Sequence, residues 1–200
     1  MSLRFAILGF LSVRPLTGYE LKQTFDRSVR HFWSADQAGI YRALGELARD
    51  GFVQFERVAQ ATRPDRKVYE ITESGVTALV AWLAEPPETP ARREPLLVKL
   101  FFASRLNAAS FRDLLQAELT AVESELAAFA DYAAVMSARF DTLDVSAQSA
   151  LLGPAITLTN GALLGVAYRS WLVGLLARHD DVSLSVTALL DDVRNALGNA

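Results

Sequence analysis

The sequence predicts a mainly α-helical chain with a small β-hairpin wing: an N-terminal winged helix-turn-helix followed by a C-terminal helical dimerisation domain. Three observations predict it. Apolar residues recur at helical spacing through most of the chain, with start signals ahead of them. One stretch, residues 53–71, instead alternates with period two around a basic tip. A proline-rich joint, "EPPETPARREP" at residues 85–95, holds four of the seven prolines and separates two parts of opposite charge.

Two hundred residues, 51% hydrophobic and 22% charged, are enough for one or two domains with real cores. The absence of cysteine excludes disulfides, thiolate metal sites and thiol redox sensing, and suits a reducing cytoplasm. The beginning Met-Ser-Leu-Arg lacks the features of a secretory leader, so the expected location is cytoplasmic. The net charge of −3 divides unevenly: residues 1–84 carry 11 Lys+Arg against 9 Asp+Glu, and residues 85–200 carry 9 against 14. The first part is the one suited to a polyanion, provided its cations share a surface.

In "LRFAILGFL", Leu3, Ile7 and Phe10 form a stripe with Ala6 and Leu11 beside it, predicting a first helix to about Val13, before Pro15. Thr17 and Glu20 fit a capping box, which starts a second helix at Gly18 with Leu21, Phe25 and Val29 inward and Lys22, Arg27 and Arg30 outward. Ser34 with Gln37 reads as another such box opening a third helix, and Gly51 is suited to its C-terminal cap. Ile40, Leu44, Leu47 and Ala48 make that helix's inner stripe. Val53, Phe55 and Arg57, then Val68, Tyr69 and Ile71, predict a two-stranded hairpin whose tip gathers Arg63, Arg66 and Lys67. A fourth helix, from Glu73 to about Ala84, is expected to bury Val76, Leu79, Val80 and Leu83.

This order is that of a winged helix-turn-helix, in which the third helix enters the major groove and the wing reaches the flanking backbone. "AILGFLSVRPLTGYELKQTF", "FWSADQAGIYRALGELARDGFV" and "RPDRKVYEITESGVTALVAWL" resemble, in order and spacing, the three segments that mark the PadR family of bacterial transcriptional regulators. The matching positions include Tyr19-Glu20-Leu21, Gly39-Ile40-Tyr41, Gly51-Phe52-Val53 and Ile71-Thr72-Glu73-Ser74-Gly75. "EPLLVKLFFASRL" resembles the start of the longer C-terminal domain of the virulence-regulator-like branch. Some members have proline after the Gly-x-Tyr core of helix three, where Arg42 stands here. The resemblance implies a DNA-binding repressor whose C-terminal domain carries dimerisation and, in some members, binds small aromatic or amphipathic effectors.

The expected DNA-binding residues are Gln37, Ala38, Tyr41, Arg42 and Arg49 on helix three, and Arg63, Arg66 and Lys67 on the wing. Arg42 can be bidentate to guanine and Gln37 to adenine, whereas wing cations contact phosphate without sequence preference. Tyr41 has two readings, a hydroxyl on phosphate or a ring packed against helix two. Phe32 and Trp33 are read as a brace at the entry to helix three, and Tyr69 and Ile71 as wing core.

Beyond the joint, Leu115, Leu119, Val122, Leu126, Phe129, Ala133, Met136 and Phe140 step by four and three, a heptad seam on a helix of some thirty residues capped by Asn107. A seam can be covered by the chain's own helices or by a second chain, and two-fold reading of operators favours the second, which makes Leu115, Leu119, Val122, Leu126, Phe129 and Met136 the expected dimerisation residues. Residues 151–177 carry Arg169 as their lone charge among 27 positions and are long enough to span a bilayer. Thr157, Thr159, Asn160 and four glycines argue instead for a helix buried on most faces, with Pro154 in its first turn and Gly161 and Gly165 admitting a close neighbour, so no membrane partner is expected. Phe101, Phe102, Tyr168 and Trp171 are candidates for an effector pocket or for plain core.

His31 and His179, far apart and without cysteine, make no metal site, and no nucleophile elbow, phosphate loop or dinucleotide fingerprint is present, so neither a cofactor nor an enzyme is expected. The reading is a homodimeric DNA-binding regulator, with double-stranded operator DNA and self as partners. The alternative is a helical interaction module whose winged helix binds protein.

Overall fold

The computed structural model describes residues 2–29, 32–58, 66–87, 94–180 and 185–198. The chain divides into two compact units, residues 1–90 and 91–200.

The first unit runs α1 (Ser2–Leu11), β1 (Leu16–Thr17), α2 (Gly18–Ser28), α3 (Gln37–Arg49), β2 (Val53–Val58), β3 (Arg66–Ile71) and α4 (Glu73–Ala84). Helix α1 stops two residues before the expected Val13, as Ser12 and Val13 turn back to the carbonyls of Leu8 and Phe10. The box at α2 forms as read: the Glu20 N–H donates to the Thr17 hydroxyl oxygen at 3.2 Å, and the Thr17 N–H donates to the Glu20 carboxylate at 2.8 Å. The cap of α3 differs from the expected Ser34–Gln37 pair. Asp36 accepts from the Gly39 N–H at 2.6 Å, two residues later, and glycine at that third helical position has no side chain to return the bond. Gly51, at φ 75°, takes the left-handed turn that ends α3 and allows the Phe52 N–H to reach the Leu47 carbonyl.

The wing is part of a three-stranded antiparallel sheet, in the order β1-β3-β2, and not of a hairpin alone. Leu16 and Thr17 pair with Tyr69 and Val68 of β3. A two-residue strand has no alternation to read, so its sequence gave no signal. Its effect is to fasten the turn before α2 to the base of the wing.

One core holds the unit together: Ile7, Leu8 and Leu11 of α1, Leu21 and Phe25 of α2, Ile40, Leu44 and Leu47 of α3, with Leu16, Val53, Tyr69 and Leu79. Tyr69 is buried and Ile71 half-buried, as expected of wing core. Leu8, fully buried, lies outside the expected stripe because a helix between two neighbours buries more than one face. In α4 the expected inner face is corrected. Leu79 is buried and Trp82 stacks on Phe5 at 4.9 Å between ring centroids, while Val76, Val80 and Leu83 are exposed. Phe32 and Trp33 are also exposed and do not form a buried brace.

The second unit holds α5 (Pro95–Phe101), a 3-10 turn at Ala103–Arg105, α6 (Ala108–Phe140), α7 (Val145–Ala150), α8 (Leu152–Asp180) and α9 (Val186–Gly198). Asn107 caps α6, accepting from the Ser110 N–H at 2.8 Å. Helices α6 and α8 pair lengthwise. Leu115, Leu119 and Val122 are buried against a cluster with Leu172, Leu175 and Leu176, and Leu126, Tyr168 and Leu189 pack on it. A β carbon at Gly165 would lie 2.9 Å from Cδ2 of Leu126, so this glycine admits the close approach expected of it.

This corrects the dimer seam at three of its six positions, Leu115, Leu119 and Val122. Leu115, Leu119 and Val122 are covered by the chain's own α8, and Leu126, Phe129 and Met136, farther along, remain half-buried. Helix α8 is corrected in turn: it is buried on one face only, and Leu152, Ile156, Leu163 and Val166 are exposed on the opposite one. The stretch from Val145 to His179 is long and apolar enough to cross a membrane by length and composition.

Candidate nucleic-acid interface

The exposed face of α3 follows from its periodicity. Ile40, Ala43, Leu44 and Leu47 are drawn into the core, which leaves Gln37, Ala38, Tyr41, Arg42, Gly45 and Arg49 outward along one side of the helix. Two small residues lie between the polar ones, so another surface can come close. Every expected helix contact is therefore accessible. Arg49 turns back to the Gly45 carbonyl at 3.4 Å.

For Tyr41 the structure shows the packing reading. Its ring packs over the first residue of α2, near enough that a β carbon on Gly18 would lie 2.6 Å from Cε1, yet the residue stays 45% exposed. Tyr69 lies close on the sheet side: burial raises its phenol pKa, and proximity to Tyr41 adds to the shift.

The wing presents cations on both of its faces. Arg57 pairs with Lys67 and Val58 with Arg66, so Arg66 and Lys67 point to opposite sides at the start of β3. The Lys67 ammonium lies 4.3 Å from the Phe55 ring centroid, and Phe55 tilts against Tyr69 at 5.6 Å. The Lys67 cation is thus held in place while remaining exposed. Arg63 lies outside the described residues.

The electrostatics around the start of α2 tie these parts together. The Glu20 carboxyl is held below its ordinary value first by the Thr17 N–H and hydroxyl, with smaller effects from Arg14 and Arg66. Arg66 therefore lies near the cap that aims α2. Arg14 and Tyr19, which the sequence reading did not place among the contacts, are both exposed beside this cap. The capping box places Tyr19 in the first turn of α2.

The candidate effector residues separate into two groups. Phe101 and Phe102 meet edge to face at 5.1 Å and, with Glu94, Leu97 and Val98, line an open hollow of about 430 Å³. Tyr168 and Trp171 stack on each other at 5.5 Å and do not line it, because the Tyr168 hydroxyl turns toward α6 and donates to Glu118 at 3.2 Å. Burial, and then the Glu118 carboxylate, push the Tyr168 phenol up to about 12. Arg169 pairs with Glu123 at 3.1 Å. His179 stacks on Phe111, and among the described residues no group of three metal-ligating side chains comes together. His31 lies outside the described residues.

Comparison with known proteins gives two adjoining family matches. Residues 7–81 match the transcriptional regulator PadR-like family, and residues 92–180 match the virulence activator alpha C-terminal family. The negative transcriptional regulator PadR of Bacillus subtilis is 29% identical over 179 residues, which span 89% of this chain and 97% of that protein. A probable transcriptional regulator of Mycobacterium tuberculosis is 38% identical over 131 residues, 62% of this chain and 69% of the other. Among solved structures, that of Bacillus subtilis PadR in complex with operator DNA superposes with a TM-score of 0.76 at 28% identity, covering 90% of this chain and 99% of that one. The same protein in complex with p-coumaric acid gives 0.69 at 29% identity, covering 89% and 95%.

Proposed function

We propose that this chain, which belongs to the PadR family of transcriptional regulators, works in the cytoplasm as a homodimeric repressor that reads operator DNA with α3 and answers a small aromatic ligand through its second unit. It is a DNA-binding transcriptional regulator and not an enzyme. The observation that carries the DNA reading is the outward side of α3, where Gln37, Tyr41 and Arg42 are exposed, together with the exposed wing cations Arg66 and Lys67. Arg42 and Gln37 supply base readout; Arg66, Lys67 and Tyr41 supply phosphate contacts, and Arg63 belongs with them by sequence.

The exposed apolar face of α8 supports dimerisation. Leu152, Ile156, Leu163 and Val166 lie opposite the side packed on α6, where a second copy would remove them from water. Two heads carried by such a dimer would meet successive major grooves about 34–36 Å apart. Repression then follows from occupying a promoter. The Phe101–Phe102 hollow supports an aromatic ligand as effector class, and the ligand lowers operator affinity by binding one arrangement of the dimer better than the other.

The test is titration of the full chain with the DNA upstream of its own coding sequence and with a scrambled duplex, for wild type and Arg42→Ala. Selective binding by wild type, with less selectivity in Arg42→Ala, is expected. An unselective wild type would reject autoregulation, and no binding to either duplex at low salt would put a protein partner in DNA's place. Sedimentation of Ile156→Glu checks the dimer, which the charge is expected to dissociate.

A further inference from the structure

We propose that Gly18 is a positioning residue for DNA binding: without a β carbon, the first residue of α2 leaves the space in which the Tyr41 ring is held with its hydroxyl toward a DNA phosphate. The inference rests on the reading of α3 as the groove-facing helix.

Three features of Gly18 set it apart from an ordinary turn glycine. It is buried although it opens a helix. Its φ is not positive, Gly51 being the described glycine that needs that freedom, so backbone conformation does not call for glycine here. What does is space: a β carbon would lie 2.6 Å from Cε1, 2.7 Å from Cζ and 3.1 Å from the hydroxyl oxygen of Tyr41. All three atoms belong to the far end of one side chain, which can swing away. An added methyl group therefore moves the phenol and spares the helix, whose Thr17–Glu20 cap does not involve residue 18.

The position of that phenol matters because of its neighbours. Tyr41 shares the outward face of α3 with Gln37, Ala38 and Arg42. Its ring bridges α3 to the first turn of α2, and β1, just before that turn, is paired to β3, which begins with Arg66. A phosphate met by the Tyr41 hydroxyl is then gripped from helix and wing together.

The test uses the full chain as wild type, Gly18→Ala, Tyr41→Phe and the double variant, each titrated on the selected duplex and on scrambled DNA. Tyr41→Phe and Gly18→Ala are each expected to weaken both duplexes alike, by roughly 10-fold per protomer for a hydrogen bond to a charged group and so roughly 100-fold for a dimer. The double variant is expected to be no weaker than the weaker single one, since the hydroxyl can be lost only once. Multiplying effects, or unchanged affinity in Gly18→Ala, would overturn the inference. If Gly18→Ala melts early, Gly18→Ala/Tyr41→Ala decides: with the ring gone it should fold and bind like Tyr41→Ala alone, and failure to do so overturns the proposal. A wild type that binds no DNA would refute the groove-helix reading itself, which is a distinguishable result.

Discussion

Replacing Arg66 with alanine isolates the contribution of the wing. Arg66 is exposed at the first position of β3, opposite Val58, and has no salt-bridge partner among the described residues, so its loss leaves the core and the sheet register intact. The melting temperature should stay the same. Binding should not, because each phosphate neutralised contributes about −0.9 to the slope of log affinity against log salt. With one Arg66 per protomer, a dimer loses two such contacts, and the slope becomes shallower by about 1.8. Between 50 and 200 mM salt, a fourfold change, wild type should therefore lose roughly 12-fold more affinity than the variant does. A lone protomer would give a slope change of about 0.9 and a factor of roughly 3.5, so the same titration also reports stoichiometry. Fluorescence anisotropy with operator and scrambled duplexes across that range reads both quantities. An unchanged slope with reduced affinity, or an effect confined to one duplex, would refute the assignment of Arg66 to phosphate.

Three further outcomes test the scaffold. Leu115→Ala, at a fully buried site between α6 and α8, should cost about 3–5 kcal/mol in urea unfolding followed by circular dichroism, whereas Met136→Ala on the same seam should cost clearly less. Gly75→Ala would drive a β carbon into the Phe52 carbonyl and Ile71, lowering stability by about 1–3 kcal/mol, read as an earlier thermal melt. The lowered Glu20 pKa gives the α2 cap an acid limit: the ionised carboxylate stabilises the fold above its ordinary value of 4.5, and that stability is lost as pH falls through the lower folded value. Melting temperatures from pH 3 to 6 should fall with a steeper acid slope in wild type than in Glu20→Gln.

How far the interface could be read before the fold was known differs from residue to residue. The outward placement of Gln37, Ala38, Tyr41, Arg42 and Arg49 was legible because one strong core stripe, Ile40, Leu44 and Leu47, leaves a helix a single remaining side. The Thr17–Glu20 box was legible because its partners are three residues apart, and Asp36 was missed because an upstream Ser–Gln pair matched the same pattern. Strand β1 was not legible at all: two residues join a sheet only when Tyr69 and Val68 are brought alongside from fifty positions away.

The sequence by itself determined the class of the longer segments, the order of helix, turn, helix and wing, and the chemistry offered outward, since these depend on local periodicity, capping and charge. What only the tertiary structure decided is which apolar stripe meets which. The seam of α6 was plain in the sequence, but its occupant was not, and it is the chain's own Leu172, Leu175 and Leu176 that cover Leu115, Leu119 and Val122. An apolar stripe specifies that it must be covered and carries no label for the cover, because the hydrophobic effect depends on area removed from water and has no direction. The same physics leaves α8 with a second apolar face that is exposed in the single chain.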